Sequence, residues 1–238
     1  MRIYFDIETA ALPEPILRPL MPEFSAPAHY KKPDKIAESI AEKQSDWLER
    51  AALCATTGRV RAIGWRRDGK SHLHASGDEA ADLREWWYRV EQAAREGDIL
   101  VGFNIARFDL PFLMRRSWAL RVTVPLGVFN GPDLNHLVFQ DLYEEWQCGD
   151  RSEMIGLHRL SDFLLSRARE IPGLRAIARE GLTGDEATLA ELENHLILTE
   201  QVACRLLGKE RPHRPVLPSG ILSRRPRPLA IPVFADDY

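Results

Sequence analysis

A short apolar strand that carries two acids is the feature that most constrains how this chain can fold. Residues 2–7, RIYFDI, are rich in β-branched and aromatic side chains, which is typical of a buried strand, and Asp6 and Glu8 stand at its end. Side chains two positions apart on a strand point to one face, and an apolar strand has no packing reason to place two acids there. This pattern predicts a cation site or, alternatively, a strand that ends at Asp6 with both acids in solvent.

Strands and helices alternate along the rest of the sequence. A strand over RVRAIGW turns at Asp68-Gly69 into a second strand, and a helix of about 17 residues follows an N-cap at Asp78. A buried strand over ILVGFN, a helix that tolerates Pro111 in its first turn, and a strong helix over 186–207 complete the pattern. The predicted fold class is therefore α/β, with three layers around a mixed sheet.

Length and composition set the domain organisation. The 238 residues are 45% hydrophobic and 28% charged, as in ordinary globular proteins, which excludes a wholly disordered, collagen-like or coiled-coil chain. We predict one domain over residues 1–207, in which residues 12–57 form an insertion with a proline-rich irregular stretch and a helix beginning at an Asp34 N-cap. Residues 208–238 contain six prolines and no apolar stripe, so we expect an extended tail that can contact a protein partner.

Charge, apolar runs and cysteines exclude several classes of protein. A net charge of −3 gives no long-range attraction to nucleic acid, so any such contact must come from local basic stretches or bound metal. Because the sequence has neither a membrane-spanning apolar run nor an apolar signal core, we expect a cytoplasmic protein without membrane contact. Three cysteines without CxxC spacing indicate buried or idle thiols rather than disulfides or a zinc site.

A third acid follows another predicted strand. In VGFNIARFDLPFL, Asn104 ends the strand and Asp109 stands five residues later, where a helix begins. Asp109 could simply cap that helix. Together with the two acids of the first strand, however, it lies where strands pass into loops, which is where ligand sites of such sheets form. Three converging carboxylates suit Mg²⁺ or Mn²⁺, and a pair of such ions can support phosphodiester cleavage.

These segments resemble a known family. FDIET resembles the first motif, and GFNIARFDLPFL the second, of the DEDD 3′-5′ exonucleases of the ribonuclease-H-like fold, in the branch similar to the proofreading domain of family-B DNA polymerases. The resemblance covers roughly residues 1–207. It implies two Mg²⁺ or Mn²⁺ ions and single-stranded DNA as the partner. It also implies a metal site that includes Asp6, Glu8 and Asp109, and a nucleotide pocket shaped by Asn104 and Phe108, to which we add Arg107 because it stands inside the second motif.

The third motif of the family departs from its pattern here. In AELENHLILTEQVA, His195 stands where the resemblance places the fourth metal-binding Asp, and Glu191 stands where a Tyr is common. An imidazole is a poor ligand for Mg²⁺ and is better tolerated by Mn²⁺ or Zn²⁺. Glu191, one turn earlier on the same helical face, could reach the ion instead. His195 could also be a half-buried helix residue without a ligand role.

Three functions remain open from the sequence. The first is a metal-dependent 3′-5′ exonuclease acting on DNA, with Asp6, Glu8, Asp109 and His195 around the ions. The second is a catalytically weakened relative that binds nucleic acid or a protein partner in a larger assembly. The third is a nucleotide or oligonucleotide hydrolase on the same fold, and DNA is not distinguished from RNA. We expect Trp86 and the remaining histidines, His158 among them, to be structural or solvated.

Overall fold

A computed structural model describes residues 1–129, 138–165 and 185–208, which contain one five-stranded mixed sheet. The strands are β1 (Arg2–Ala11), β2 (Gly58–Arg67), β3 (Lys70–His74), β4 (Ile99–Gly102) and β5 (Phe139–Asp141). The α-helices are α1 (Glu14–Leu17), α2 (Pro33–Arg50), α3 (Glu79–Glu96), α4 (Asp109–Ala119), α5 (Leu142–Gln147), α6 (Leu157–Leu164) and α7 (Asp185–Leu206). Short 3₁₀ turns cover Arg18–Leu20, Ala51–Leu53 and Leu126–Val128.

The sheet has the strand order β3-β2-β1-β4-β5, so the first strand lies at its centre. β1 pairs antiparallel with β2 and parallel with β4, β2 pairs antiparallel with β3, and β4 pairs parallel with β5. Glu8 pairs with Ala62 and Thr9 pairs with Val60, so Arg61 is the extra residue of a bulge in β2. The predicted α/β class with a mixed sheet is confirmed, and the arrangement is consistent with a ribonuclease-H-like domain.

Helices cover both faces of the sheet because β1 is apolar on both. Phe5 is completely buried on one face, in a core with Trp86 of α3 and Leu113 of α4. Tyr4 is buried on the other face, in a second core to which α5, α6 and α7 contribute Leu142, Leu160, Val202 and Ala203. The molecule therefore has the three predicted layers, and the core position expected for Trp86 is confirmed.

Local turn and cap chemistry behaves as the sequence predicts. Asp68 and Gly69 both have positive φ angles, 51° and 73°, as the tight turn between β2 and β3 requires. The side chain of Asp78 accepts hydrogen bonds from the N–H groups of Ala80 and Ala81 and so caps α3. Gly97, with φ of 70°, ends the same helix in the left-handed conformation.

Other local expectations need correction. Asp34 does not cap α2, because the helix begins one residue earlier with Pro33 at its first position and Lys32 as the N-cap. β5 and α5 occupy a segment in which the sequence showed no clear period, since a three-residue strand is too short to have one. All three cysteines are free and exposed, so of the two expected alternatives, buried or idle thiols, only the buried one is wrong.

Two expectations about the organisation of the chain stay predictions. The tail over residues 208–238 is described only at Gly208, so both its extended form and its protein partner stay predictions. The division into a domain over 1–207 with an insertion over 12–57 also stays a prediction. Among the described residues, no helix is both long enough and apolar enough to cross a membrane.

Candidate metal and nucleic-acid site

β1 presents two acids to the layer formed by α5, α6 and α7. Asp6 and Glu8 share the face of Tyr4, because alternate residues of a strand point the same way. Their side chains are 22% and 24% exposed. The strand continues to Ala11, so the alternative in which it ends at Asp6 is wrong. Both carboxylates are therefore held on a rigid central strand.

Helix α7 lies over these acids because β2 has no side chain at the contact point. Gly64 of β2 pairs with Asp6, and a Cβ atom at Gly64 would lie 2.9 Å from side-chain atoms of both Leu192 and Leu196. The glycine thus allows α7 to approach the sheet closely. Leu192 and Leu196 are completely buried, and His195, on the same helix, turns its ring toward β1.

The ring of His195 contacts both acids of β1. Its Nδ1 lies 3.0 Å from Oδ2 of Asp6 and 3.5 Å from Oε1 of Glu8. Burial alone would lower the pKa of His195, but hydrogen bonds to Asp6 and Glu8, together with their charges, raise it to about 10. In the metal-free protein His195 is therefore an imidazolium whose Nδ1–H donates to Asp6. The residue is half-buried, as one alternative expected, and it also lies among the candidate ligands.

Asp109 is the most buried of the candidate acids. It is the first residue of α4 and only 3% exposed, while the N-cap position belongs to Phe108 and no side chain caps the helix. The alternative in which Asp109 is a capping residue is therefore wrong. Its Oδ1 atom is buried without a hydrogen-bond partner in the described part of the chain. Burial, then the charge of Asp6 and hydrogen bonding with it, raise the pKa of Asp109 well above its usual range.

Asp141, which the sequence did not single out, fixes the loop between β4 and α4. Its Oδ1 accepts hydrogen bonds from the N–H groups of Asn104 (2.7 Å) and Tyr143 (2.9 Å), and its Oδ2 accepts one from Ala106 (2.9 Å). Burial raises the pKa of Asp141, although these N–H donors oppose the shift. Asn104 has a φ angle of 62°, which is rare for a residue other than glycine. The sequence offered one sign of this role, because an acid that stands just before a helix is typical of an N-cap.

A cleft of about 680 Å³ opens beside these residues. Arg107 is exposed at its edge, where its guanidinium lies 5.3 Å from the ring centre of Tyr143 and donates to Oε1 of Gln147 at 3.3 Å. Candidate ligands and aromatic side chains line the cleft together; they include Asp6, Glu8, Phe103, Asn104, Arg107, Phe108, Asp109, Tyr143 and His195. The predicted metal and nucleotide residues thus share one cavity, apart from Glu191, whose Oε1 is 3.9 Å from Nε2 of His195.

Several other arginines pair with acids. Arg61 pairs with Asp185 and Arg66 with Glu200, while Arg116 pairs with Glu79 inside the protein. His72 and His74 lie against the ring of Trp65. These residues are structural, whereas His136 and His213 lie outside the described residues.

His158 is exposed on α6, as expected of a solvated residue, and it also makes a contact that the sequence did not predict. The Nε2 atom of His158, on α6, lies 3.3 Å from Nε2 of His195, on α7. Sequence spacing could not reveal this pair, since the two residues are 37 positions apart on different helices.

Within residues 1–129, 138–165 and 185–208, two groups of donor atoms could hold a divalent cation. One set is Asp6, Glu8 and His195, and the other is His158, Glu191 and His195; within each set the donor atoms lie within 4.8 Å of one another. Carboxylate oxygens are ligands that Mg²⁺ and Mn²⁺ prefer. The buried, unpartnered Oδ1 of Asp109 beside the first set is an oxygen that a cation would satisfy. The first set therefore fits a hard divalent ion, with the imidazole as its weakest donor.

Comparisons with known proteins give little beyond this geometry. No family model matches the chain, and no curated protein has a matching sequence. Among solved structures, the chain is similar to the family B DNA polymerase from the hyperthermophilic archaeon Pyrobaculum calidifontis, with 17% sequence identity and a TM-score of 0.49. The similarity covers 87% of this chain but 24% of the polymerase, so the chain spans about a quarter of that protein.

Proposed function

We propose that this protein is a metal-dependent 3′-5′ exonuclease that hydrolyses phosphodiester bonds at single-stranded ends of DNA. The observation that carries the proposal is the convergence of Asp6, Glu8 and Asp109 in one cleft with an exposed arginine and aromatic walls. Three acids in one cleft are costly unless cations bind them. The resemblance of FDIET and GFNIARFDLPFL to exonuclease motifs gives the direction of cleavage that we propose.

The carboxylates would hold two Mg²⁺ or Mn²⁺ ions. Asp6 would bridge them, while Glu8, Asp109 and His195 would complete the set of ligands. Such ions, when bound, supply an activated water and stabilise the charge that develops on the phosphate and leaving oxygen. The chain contributes rigidity, because the acids stand on a central strand and at the first residue of a buried helix.

Side chains around the acids would bind the end of the strand. Arg107 is an exposed cation at the edge of the cleft, held over the ring of Tyr143, and it would bind a phosphate of the strand. Phe103 and Phe108 offer aromatic surface to a base in the same cleft. Asn104 would contact the nucleotide, and the hydrogen bonds of Asp141 to its loop would keep it in place.

One observation favours a second candidate, a weakened relative that binds nucleic acid or a protein partner without cutting. The imidazolium of His195 already pairs with Asp6 and Glu8, as a cation supplied by the chain itself. An ion entering the cluster must displace the His195 proton or its ring. If that displacement is too costly, the cleft could still bind a strand but not cleave it.

A labelled-strand assay tests the proposal. Purified protein is incubated with 3′- and 5′-labelled single strands of DNA and of RNA, in Mg²⁺ and separately in Mn²⁺. We expect stepwise shortening from the 3′ end of DNA, reduced by about 100-fold or more in Asp6→Asn and in Asp109→Asn. Asp46→Asn changes an exposed acid on α2 and should leave the rate unchanged.

Other results of the labelled-strand assay would contradict the proposal. Cleavage that survives in both acid variants would overturn the site. Shortening from the 5′ end, or release of product from mononucleotides alone, would overturn the proposed reaction in favour of another hydrolase on this fold. Retention of labelled strands on the protein without cleavage in either ion would support the weakened relative.

A further inference from the structure

The ring of His195 has a second nitrogen, which points away from the acids of β1. Its Nε2 lies 3.3 Å from Nε2 of His158, an exposed residue of α6. The same atom lies 3.9 Å from Oε1 of Glu191, one turn earlier in α7. Two imidazole nitrogens and a carboxylate oxygen thus come within 4.8 Å of one another on the far side of the ring.

The spacing of the two imidazole nitrogens is that of a tetrahedral metal site. Ligand atoms about 2.0–2.1 Å from a tetrahedral ion are separated from one another by about 3.3–3.4 Å. The distance between the two Nε2 atoms, 3.3 Å, meets this requirement as it stands. The carboxylate oxygen of Glu191 needs to approach Nε2 of His195 by about half an ångström. The Glu191 side chain is 39% exposed and has room to make this movement.

The contact between His195 and Asp6 orients the ring for this site, and an entering ion must displace the proton on Nε2. When Nδ1–H donates to Oδ2 of Asp6 at 3.0 Å, deprotonation at Nε2 leaves a lone pair directed toward His158 and Glu191. Histidines that bind metals usually donate their other N–H to a carboxylate, which fixes the tautomer and the ring orientation. Asp6 would then act on this site as a partner of the ligand and not as a ligand.

We propose that His158, Glu191 and His195 form a second metal site, separate from the cluster of Asp6, Glu8 and Asp109. Two nitrogens and one oxygen select a borderline ion such as Zn²⁺ or Co²⁺ over Mg²⁺. Exposure of His158 leaves a fourth position for water. The site does not depend on the proposed exonuclease activity, since it uses the opposite nitrogen of the shared ring.

Sharing of the His195 ring connects the two sites. A neutral imidazole has one lone pair, so His195 either binds an ion at the acids through Nδ1 or binds one beside His158 through Nε2. An ion at the second site therefore removes His195 from the ligands of the carboxylate cluster. Occupancy of one site weakens the contribution of His195 to the other.

Co²⁺ is the probe, because its visible spectrum reports coordination without any measurement of activity. Untagged full-length protein is titrated with Co²⁺ alone. We expect one equivalent to produce the intense absorption of a four-coordinate ion, and excess Zn²⁺ but not Mg²⁺ to remove it. His158→Ala should weaken Co²⁺ binding by about 100-fold, because loss of even an outer-shell partner costs about 10- to 100-fold. Glu191→Gln should weaken it by about 10-fold or more.

Controls separate this site from the carboxylate cluster. Asp109→Asn should leave the Co²⁺ spectrum unchanged, and so should His29→Ala, which alters an exposed histidine elsewhere. Absence of the four-coordinate spectrum in the unmodified protein would overturn the proposal. Unchanged Co²⁺ affinity in His158→Ala, with loss of the spectrum in Asp109→Asn, would place the ion among the acids and overturn it as well. An inactive protein that retains the expected spectra would refute the exonuclease alone.

Discussion

Nδ1 of His195 lies 3.0 Å from Oδ2 of Asp6, although 189 positions separate the two residues along the chain. The contact joins the central strand to the last described helix, and it places a nitrogen donor among oxygen donors. It also raises the pKa of His195 to about 10, so the metal-free site contains its own positive charge. We therefore expect the metal preference of the proposed site to depend on this one side chain.

His195→Asp should increase cleavage supported by Mg²⁺. The substitution supplies a carboxylate, which Mg²⁺ prefers to imidazole, and it removes the imidazolium that pairs with Asp6. We expect a gain of about 10-fold in Mg²⁺ and a smaller gain in Mn²⁺, measured as initial rates on a 5′-labelled single strand.

Two alanine variants test whether His195 is a metal ligand. If the unmodified protein is fully active in Mg²⁺ and His195→Ala does no harm, His195 is not a ligand. Glu191→Ala should then be the disabling change, because Glu191 is the acid nearest to the ring on α7.

Asp109→Asn should stabilise the metal-free protein at neutral pH. The raised pKa of Asp109 means that its ionised form is disfavoured in the folded state relative to the unfolded chain. The resulting penalty is absent below the ordinary pKa of 3.8 and grows as pH rises toward the folded-state value. The difference in unfolding free energy between variant and parent should therefore increase with pH, as measured by urea denaturation with a chelator present.

The sign of this effect should change when ions bind. Saturating Mn²⁺ stabilises the parent protein by mass action but binds less well to the variant. A variant that is less stable than its parent at neutral pH in chelator would contradict the assignment of a costly buried charge.

Asp141→Ala should destabilise the protein by about 2–4 kcal/mol, because three N–H groups lose their acceptor. Disorder of the loop over residues 103–108 should also raise KM for the strand more than it lowers kcat. Urea denaturation and steady-state kinetics check the two effects. Asp150→Ala is the control, since among the described residues Asp150 accepts hydrogen bonds only from Ser152 in an exposed turn, and the substitution should leave stability and kinetics unchanged.

Gly64→Ala should move α7 away from the acids of β1. The added Cβ would come within 2.9 Å of Leu192 and Leu196, both completely buried, so we expect a cost of about 1–3 kcal/mol. Activity should fall further than stability alone explains, because His195 moves with the helix. Gly127→Ala meets no atom within 4 Å and should be neutral in both denaturation and cleavage assays.

The fold could be predicted largely from local patterns. Asp78, Gly97 and the pair Asp68-Gly69 act through neighbouring backbone, so their positions in the sequence suffice to predict caps and turns. The strand that carries Asp6 was recognisable because its apolar residues are continuous. β5 was not, because three residues show no period.

The site could be predicted less completely. Asp109 looked the same in the sequence whether it capped α4 or lay buried beside Asp6, and only the approach of α4 to β1 distinguishes the two. The contact of His158 with His195 depends on how α6 packs against α7, which no spacing within either helix encodes. Asp141 was hidden because its partners, Asn104 and Ala106, lie more than 30 positions earlier.

The position of α7 over β1 has a consequence for biosynthesis. A ribosome makes β1 first and α7 last among the described elements, so Asp6 and Glu8 leave the exit tunnel long before His195 exists. A nascent chain can pair β1 with β2 and β4, yet it lacks the layer that encloses its acids. The cleft is completed only when translation has passed residue 206, so an unfinished chain does not yet contain the assembled centre of the proposed nuclease.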